Sequence, residues 1–253
     1  MSKKKKHEIG IALGGGGARG FAHLGALQAL SERGIKPDII SGVSAGAIAG
    51  AFIASGKSPR DAFDIIRKYK FTDLTTFNIP KTGLFSLEKM RKIIKDHIKV
   101  NYIEDLKIPL IIGATDMLAG KIEYFSKGFL ADRVEASAAI PVLYSPVEIA
   151  GKHYADGGIF DNNPIKPLKR KAEKIIAISI SPIQEIQELK SMVQVASRMF
   201  QLTINQRSNE LRKQCDLFIE PIELCNYDVM DTKHADTIFE IGYEHTKSMD
   251  IDF

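Results

Sequence analysis

Gly42-Val43-Ser44-Ala45-Gly46 sets one serine between two glycines. An apolar extended run, Pro37 to Ser41, precedes it, and a small-residue helical stretch, Ala45 to Ala54, follows. Strand, sharp turn, serine, helix is the context in which G-x-S-x-G lifts a nucleophile clear of a sheet. A serine at such an apex takes a strained backbone angle, and side chains at the flanking positions would strike the neighbouring strand and helix; hence the glycines. Ala45, Gly46, Ala47, Ala49, Gly50 and Ala51 keep the helix thin enough to lie close to the sheet. The pentapeptide alone also fits an ordinary strand-to-helix turn, so the reading depends on what else the chain supplies.

A second stretch lies upstream. The apolar run Ile9 to Leu13 passes into Gly14-Gly15-Gly16-Gly17-Ala18-Arg19-Gly20 and then into a helical pattern, Phe21 to Glu32. A glycine loop at the start of a helix offers bare N–H groups to an anion. Gly15, Gly17 and Gly20 formally satisfy the dinucleotide fingerprint G-x-G-x-x-G. That fingerprint wants an acidic residue at the end of the next strand. Here Asp38 stands at the beginning of that strand, and Ser44 holds the place of the acid. No G-K-[ST] follows, which removes the P-loop. The loop reads instead as a set of oxyanion donors beside the serine, because both follow adjacent strands at one sheet edge. A third stretch, Asp156-Gly157-Gly158, follows a hairpin in which Val147 to Ile149 and His153-Tyr154 flank Ala150-Gly151-Lys152.

Gly15 to Gly20, Gly42 to Gly46 and Asp156 to Gly158, in that order, resemble the patatin-like phospholipase family. Ser137-Ala138-Ala139-Ile140-Pro141 and Asn162-Asn163-Pro164 look like further blocks of it, and the resemblance covers about Ile9 to Ile180. It implies a three-layer α/β/α sandwich with a mainly parallel central sheet. It also implies a Ser-Asp dyad: Ser44 as nucleophile, Asp156 as base, and N–H groups around Gly15, Gly16 and Gly17 as oxyanion hole. Arg19, Gly20, Gly42, Gly46, Gly157 and Gly158 support the motifs, Arg19 either fixing the loop or meeting a phosphate head group. The implied activity is a phospholipase A or lysophospholipase type of ester hydrolysis through an acyl-enzyme, with no metal and no cofactor. A lipid-binding or regulatory protein of the same fold is the alternative. A Ser-acid-His triad, Ser44 and Asp156 with His234 or His245, is a rival within hydrolases, but the elbow follows only the second strand. A dyad without histidine implies activity that does not switch off as pH falls through ~6.5.

The elements that must position these residues read as one α/β domain over all 253 residues, 44% hydrophobic and 26% charged. A helix is expected from Ser58-Pro59 to about Lys70, and another from Leu87 to Lys99. Phe71 to Phe85 between them is irregular and apolar, a lid or acyl wall if not simple packing. Ile108 to Ala114 is a central strand with Lys121 to Ser126 as antiparallel partner, and Ala131 to Ala139 a helix stopped by Pro141. Then come a short helix from Pro164 to Lys171, a strand at Ile175 to Ile180 and a long helix from Glu185 to Arg212. A strand at Leu217 to Glu220 and a helix at Thr237 to Met249 close the chain. Met192, Val195, Met199 and Phe200 form a stripe expected in the core.

No apolar run is long enough to span a bilayer, and nothing resembles a secretory leader. Cys215 and Cys225 match no metal spacing, which fits a cytoplasmic chain. The net charge of +4 is modest and comes partly from the terminal lysine run, and the sequence shows neither the interleaved basic and aromatic cluster nor the module of a nucleic-acid partner. Expected partners are phospholipid, lysophospholipid or another acyl ester. Lys3 to Lys6 read as a solvated terminus, with transient peripheral membrane contact as the alternative.

Overall fold

The computed structural model describes residues 6–69, 76–77, 85–205, 208–230 and 232–252. Its short apolar runs form one eight-stranded sheet. The strands are β1 (His7–Leu13), β2 (Ile39–Gly42), β3 (Leu110–Asp116), β4 (Lys121–Phe125), β5 (Val147–Ile149), β6 (Lys152–Asp156), β7 (Ala172–Ile178) and β8 (Leu217–Ile219). Their order is β8-β7-β1-β2-β3-β6-β5, with β4 also paired to β3. From β8 to β3 the pairings are parallel; β4, β5 and β6 join antiparallel. The helices are α1 (Phe21–Glu32), α2 (Ala45–Ala54), α3 (Pro59–Ile66), α4 (Glu88–His97), α5 (Leu130–Ala138), α6 (Gly158–Asp161), α7 (Met192–Ile204), α8 (Ser208–Arg212) and α9 (Ala235–Ser248).

Alternation along the strands sends side chains to two buried faces. Ile11, Leu13, Ile40 and Ile112 enter a core with Leu24 of α1, Phe52 of α2 and Phe239 of α9. Ala12, Ile39 and Ile111 face the other way, onto Ile165, Leu168 and Ala172. Cover, sheet and cover give the expected three-layer α/β/α sandwich.

Three expectations change. Pro164 to Lys171 is a run of turns, with Leu168 N–H donating to Ile165 O at 2.9 Å and Lys171 N–H to Leu168 O at 2.7 Å. Pro164 and Pro167 have no N–H to give a helix. The long helix expected from Glu185 to Arg212 starts only at Met192, where the Ser191 hydroxyl caps it by accepting from Gln194 N–H at 3.2 Å; it ends at Ile204, and α8 begins at Ser208. Met192, Val195 and Met199 are exposed rather than in the core, and Phe200 is partly buried against the cluster around Ala138, Ile140 and Tyr144. The lid expected at 71–85 falls, apart from a two-residue antiparallel pairing of Thr76–Phe77 with Phe85–Ser86, outside the described residues, as does most of the lysine run. Among the described residues no helix is long and apolar enough to cross a membrane.

The topology fixes where the site must lie. β2 and β6 share one edge of β3, meeting head-on: Gly42 is level with Ile112, and Asp156 with Ala114. The elbow and the aspartate are therefore two β3 residues apart, about 7 Å at the rise of a strand.

Helix α9 closes the molecule over α1 by direct backbone contact. A methyl group on Gly242 would stand 2.2 Å from Ala22 O, and one on Gly25 2.0 Å from Phe239 O. Gly242→Ala is expected to destabilise the fold by about 1–3 kcal/mol, read as a melting temperature lowered by about 2–4 °C per kcal/mol in a thermal scan.

Candidate active site

The elbow is built as its glycines require. Ser44 sits at φ 55°, ψ −124°, a conformation that costs a residue with a side chain about 1–3 kcal/mol. Neighbouring groups hold it there. Val43 N–H donates to Leu13 O (3.1 Å), Gly46 N–H to Val43 O (2.8 Å) and Ala47 N–H to Ser44 O (2.9 Å). A Cβ on Gly46 would lie 2.0 Å from Leu13 O, and one on Gly42 2.5 Å from Gly46 O. Ser44 N–H donates to Ser137 Oγ at 2.9 Å, and Ser137 Oγ–H donates on to Gly113 O at 2.6 Å. Ser137, fully buried on α5, thus ties the elbow to β3.

Asp156 arrives through the hairpin of β5 and β6, whose turn has Ala150 and Gly151 at φ 52° and 76°, the primed geometry that suits tight hairpins. Its carboxyl group is completely buried. Oδ1 accepts from Gly158 N–H at 2.8 Å. The Ser44 hydroxyl lies near enough to favour the ionised form but short of full hydrogen-bond geometry, leaving Oδ2 without a partner. Burial dominates and pushes Asp156 up to about 7; the nearby Ser44 hydroxyl and the Gly158 hydrogen bond pull the other way. Gly157 admits the close approach of β3, since a Cβ there would stand 2.4 Å from Gly113 O.

The glycine loop lies against the serine: a Cβ on Gly15 would be 3.1 Å from Ser44 Cβ. Gly15 N–H already donates to Asn162 O at 3.1 Å, while its carbonyl accepts from Asn162 Nδ2 (3.4 Å) and Ser181 Oγ (2.5 Å). Among the described residues the N–H groups of Gly16 and Gly17 have no such partner, so they are the donors left for an anion. Gly17 has φ 60° and presses on Val229 O, which also accepts from Ala18 N–H at 2.7 Å. Arg19 is buried and donates to Tyr227 O (2.8 Å), Pro182 O (3.1 Å) and Cys225 O (3.5 Å). These bonds tie the loop to the segment 182–227, and Arg19 also lines a cleft of about 1040 Å³. Gly20 lets α2 approach, a Cβ there standing 2.9 Å from Ala45 Cβ.

The histidines are elsewhere. His23 is buried, donates from Nε2 to Gly14 O at 2.7 Å and, lowered by burial to about 4, is neutral. His234 is exposed and edge-on to Tyr227; neither it nor His245 is among the described residues lining the cavity at Ser44. That cavity, of about 120 Å³, is apolar, its walls including Leu24, Phe52, Ile94, Ile140 and Tyr144.

Ser137 and Asn162 stand in the two further blocks that the sequence offered, where no role was assigned to them individually; Ser181 and Val229 lie outside every motif.

A family profile described as patatin-like phospholipase matches residues 11–169. The chain belongs to that family. Among its relatives, an uncharacterized NTE family protein of Mycobacterium tuberculosis is 38% identical over 176 residues, covering 68% of this chain and 49% of that protein. Neuropathy target esterase sws of Drosophila melanogaster is 35% identical over 185 residues, 69% of this chain and 13% of that protein. Lysophospholipase NTE1 of Candida glabrata is 32% identical over 189 residues, 72% and 11% respectively. This patatin-like chain thus spans about half, or far less, of the length of these relatives. Among solved structures, VipD from Legionella pneumophila matches with a TM-score of 0.55 at 18% identity, over 96% of this chain and 66% of that one, a likeness of fold.

Two outcomes follow from this geometry. Ser137→Ala strands the buried Ser44 N–H and is expected to lower stability by about 1–3 kcal/mol, measured by urea unfolding. Asp156 is raised above its ordinary 3.8, so the stability associated with its protonated form is present below pH 3.8 and lost as pH rises through about 7. Melting temperatures of wild type and Asp156→Asn, compared from pH 4 to 9, are expected to shift steadily in favour of the variant up to about 7 and to run parallel above.

Proposed function

We propose that the chain is a serine lipid acyl hydrolase of the phospholipase A or lysophospholipase type, working through a Ser44–Asp156 dyad. The observation that carries this reading is a buried carboxylate, with no cation beside it among the described residues, facing a serine on a strained elbow. Such a carboxylate is a far stronger base than one in water. Asp156 takes the Ser44 proton as Oγ attacks the ester carbonyl. The oxyanion forms toward the N–H groups of Gly16 and Gly17, where one fixed donor is worth about 3–4 kcal/mol. Collapse of that intermediate expels the alcohol, which takes the proton back from Asp156. Water, deprotonated by the same carboxylate, then cleaves the acyl-enzyme and frees Ser44.

The apolar cavity suits the acyl chain: Ser44 stands in its wall, and burying each methylene contributes about 0.8 kcal/mol. Relatives named lysophospholipase and esterase support a lipid ester as substrate. The lipid-binding alternative, with little turnover, has no observation in its favour here.

One consequence departs from the sequence-based expectation on pH. With Asp156 at about 7, a histidine-free dyad loses activity on acidification over the same range as a histidine would. Below about 7, kcat/KM is expected to fall tenfold per pH unit, with the midpoint unmoved in His234→Ala and His245→Ala. A fluorophosphonate is expected to label Ser44 in wild type, not at all in Ser44→Ala, and at least 100-fold more slowly in Asp156→Asn, by peptide mass spectrometry. An unlabelled but folded wild type, or a midpoint that moves with one histidine, would sink the dyad.

A further inference from the structure

Three successive peptide groups of the glycine loop are held in three different ways. In the group joining Gly14 to Gly15 both ends are occupied. Gly14 O accepts from His23 Nε2 at 2.7 Å, and Gly15 N–H donates to Asn162 O at 3.1 Å. In the group joining Gly16 to Gly17, the carbonyl accepts from Arg19 N–H at 3.3 Å, a bond internal to the loop. The group between them is held at its carbonyl alone. Gly15 O accepts from Ser181 Oγ–H at 2.5 Å and, at a long 3.4 Å, from Asn162 Nδ2. Gly16 N–H has no partner among the described residues. A trans peptide points its carbonyl and its N–H in opposite directions, so whatever holds Gly15 O also sets the direction of Gly16 N–H. Ser181 is itself firmly placed. It follows closely on β7, whose Ile178 is level with Leu13 of β1 and accepts from Gly14 N–H at 3.0 Å. It is buried, and its own carbonyl accepts from Asn205 Nδ2 at 2.6 Å.

Taking Gly16 and Gly17 as the oxyanion donors proposed above, we infer that Ser181 is a positioning residue for the reaction. Its hydroxyl holds the Gly15–Gly16 peptide in the orientation that offers an N–H, and not a carbonyl, to the oxyanion. The plane needs holding because a glycine stands on each side of it. With no Cβ on either, rotation about the bonds flanking the peptide escapes most of the steric limits that fix other residues. Turned over, the plane would put the Gly15 carbonyl where Gly16 N–H now points, repelling the developing charge that a fixed donor stabilises. Asn162 is a poor substitute, since its bond to Gly15 O lies beyond the usual 2.7–3.2 Å. Nor can a side chain at position 16 stiffen the plane instead. A Cβ there would stand 2.7 Å from Ile180 Cγ1 and 3.0 Å from Ser181 Oγ, so the approach of Ser181 itself requires the glycine. The one proton of the Ser181 hydroxyl goes to Gly15 O, and the residue acts through that peptide.

The test compares the full chain as wild type, Ser181→Ala and Ser181→Thr on p-nitrophenyl butyrate, a neutral soluble ester, with melting temperatures recorded alongside. Ser181→Ala is expected to lower kcat about 10- to 100-fold, with KM within about threefold and the pH midpoint of kcat/KM unmoved. Inhibition by butylboronic acid, which adds to a serine as a tetrahedral anion, is expected to weaken about tenfold or more. Ser181→Thr keeps the hydroxyl and is expected to stay within about fivefold of the wild-type kcat. Should the alanine variant not fold, Ser181→Cys makes the same comparison, being close in size and a far weaker donor. Turnover by a folded Ser181→Ala at the wild-type rate, whatever its melting temperature, would overturn the inference and leave the dyad standing. So would a threonine variant as slow as the alanine one. A wild type that neither turns over the ester nor is labelled at Ser44 would sink the proposed reaction, and this inference with it.

Discussion

Two strands of opposite direction divide one edge of β3 between them, and the site is made where they meet. β2 ends at Gly42 level with Ile112, and β6 ends at Asp156 level with Ala114, leaving Gly113 as the junction. Everything near that point is crowded. The Gly113 carbonyl accepts from Ser137 and lies against Gly157, and a Cβ on Gly113 would meet Val43 at 2.9 Å. Both chains must turn sharply away, one into the elbow and one into the Asp-Gly-Gly turn. Ser44 and Asp156 are therefore positioned by sheet register rather than by loops, which is the more rigid of the two ways to hold a site.

Burial does the rest. The carboxylate at Asp156 is raised chiefly by desolvation, against which the nearby Ser44 hydroxyl and the Gly158 N–H pull. A cation beside it would pull that value back down. Tyr144, whose own pKa is raised by burial and by the charge of Asp156, lines the cavity at Ser44. Strain at Ser44 and desolvation at Asp156 both cost stability, and the dense backbone packing of α1, α2 and α9 offsets them.

Much of this was legible in the sequence because it is local. Gly42, Gly46, Gly157 and the glycine loop announce close approaches within a few residues of the groups they serve, and the alternating apolar runs announce the strands. The anchoring of Arg19 was illegible, since its partners are backbone carbonyls as far as 208 positions away, and a carbonyl carries no residue identity. The pKa of Asp156 was illegible because burial is a property of the folded whole. The stripe on α7 was seen and assigned to the wrong side, since periodicity marks an apolar face without saying which way it points. The break at Ser191 was missed because a serine inside an apolar pattern reads equally as a helix residue and as a cap.

The loop that offers Gly16 and Gly17 is secured by carbonyls at Pro182, Cys225, Tyr227 and Val229, all beyond residue 169, where the family match ends. During synthesis the serine, the aspartate and the glycines leave the ribosome long before the groups that brace them. A nascent or clipped chain lacking residues 182–229 thus displays every motif without the carbonyls that hold Ala18 and Arg19. Timing is built into the connectivity: the segment without a recognisable motif is the one that completes the bracing of the glycine loop.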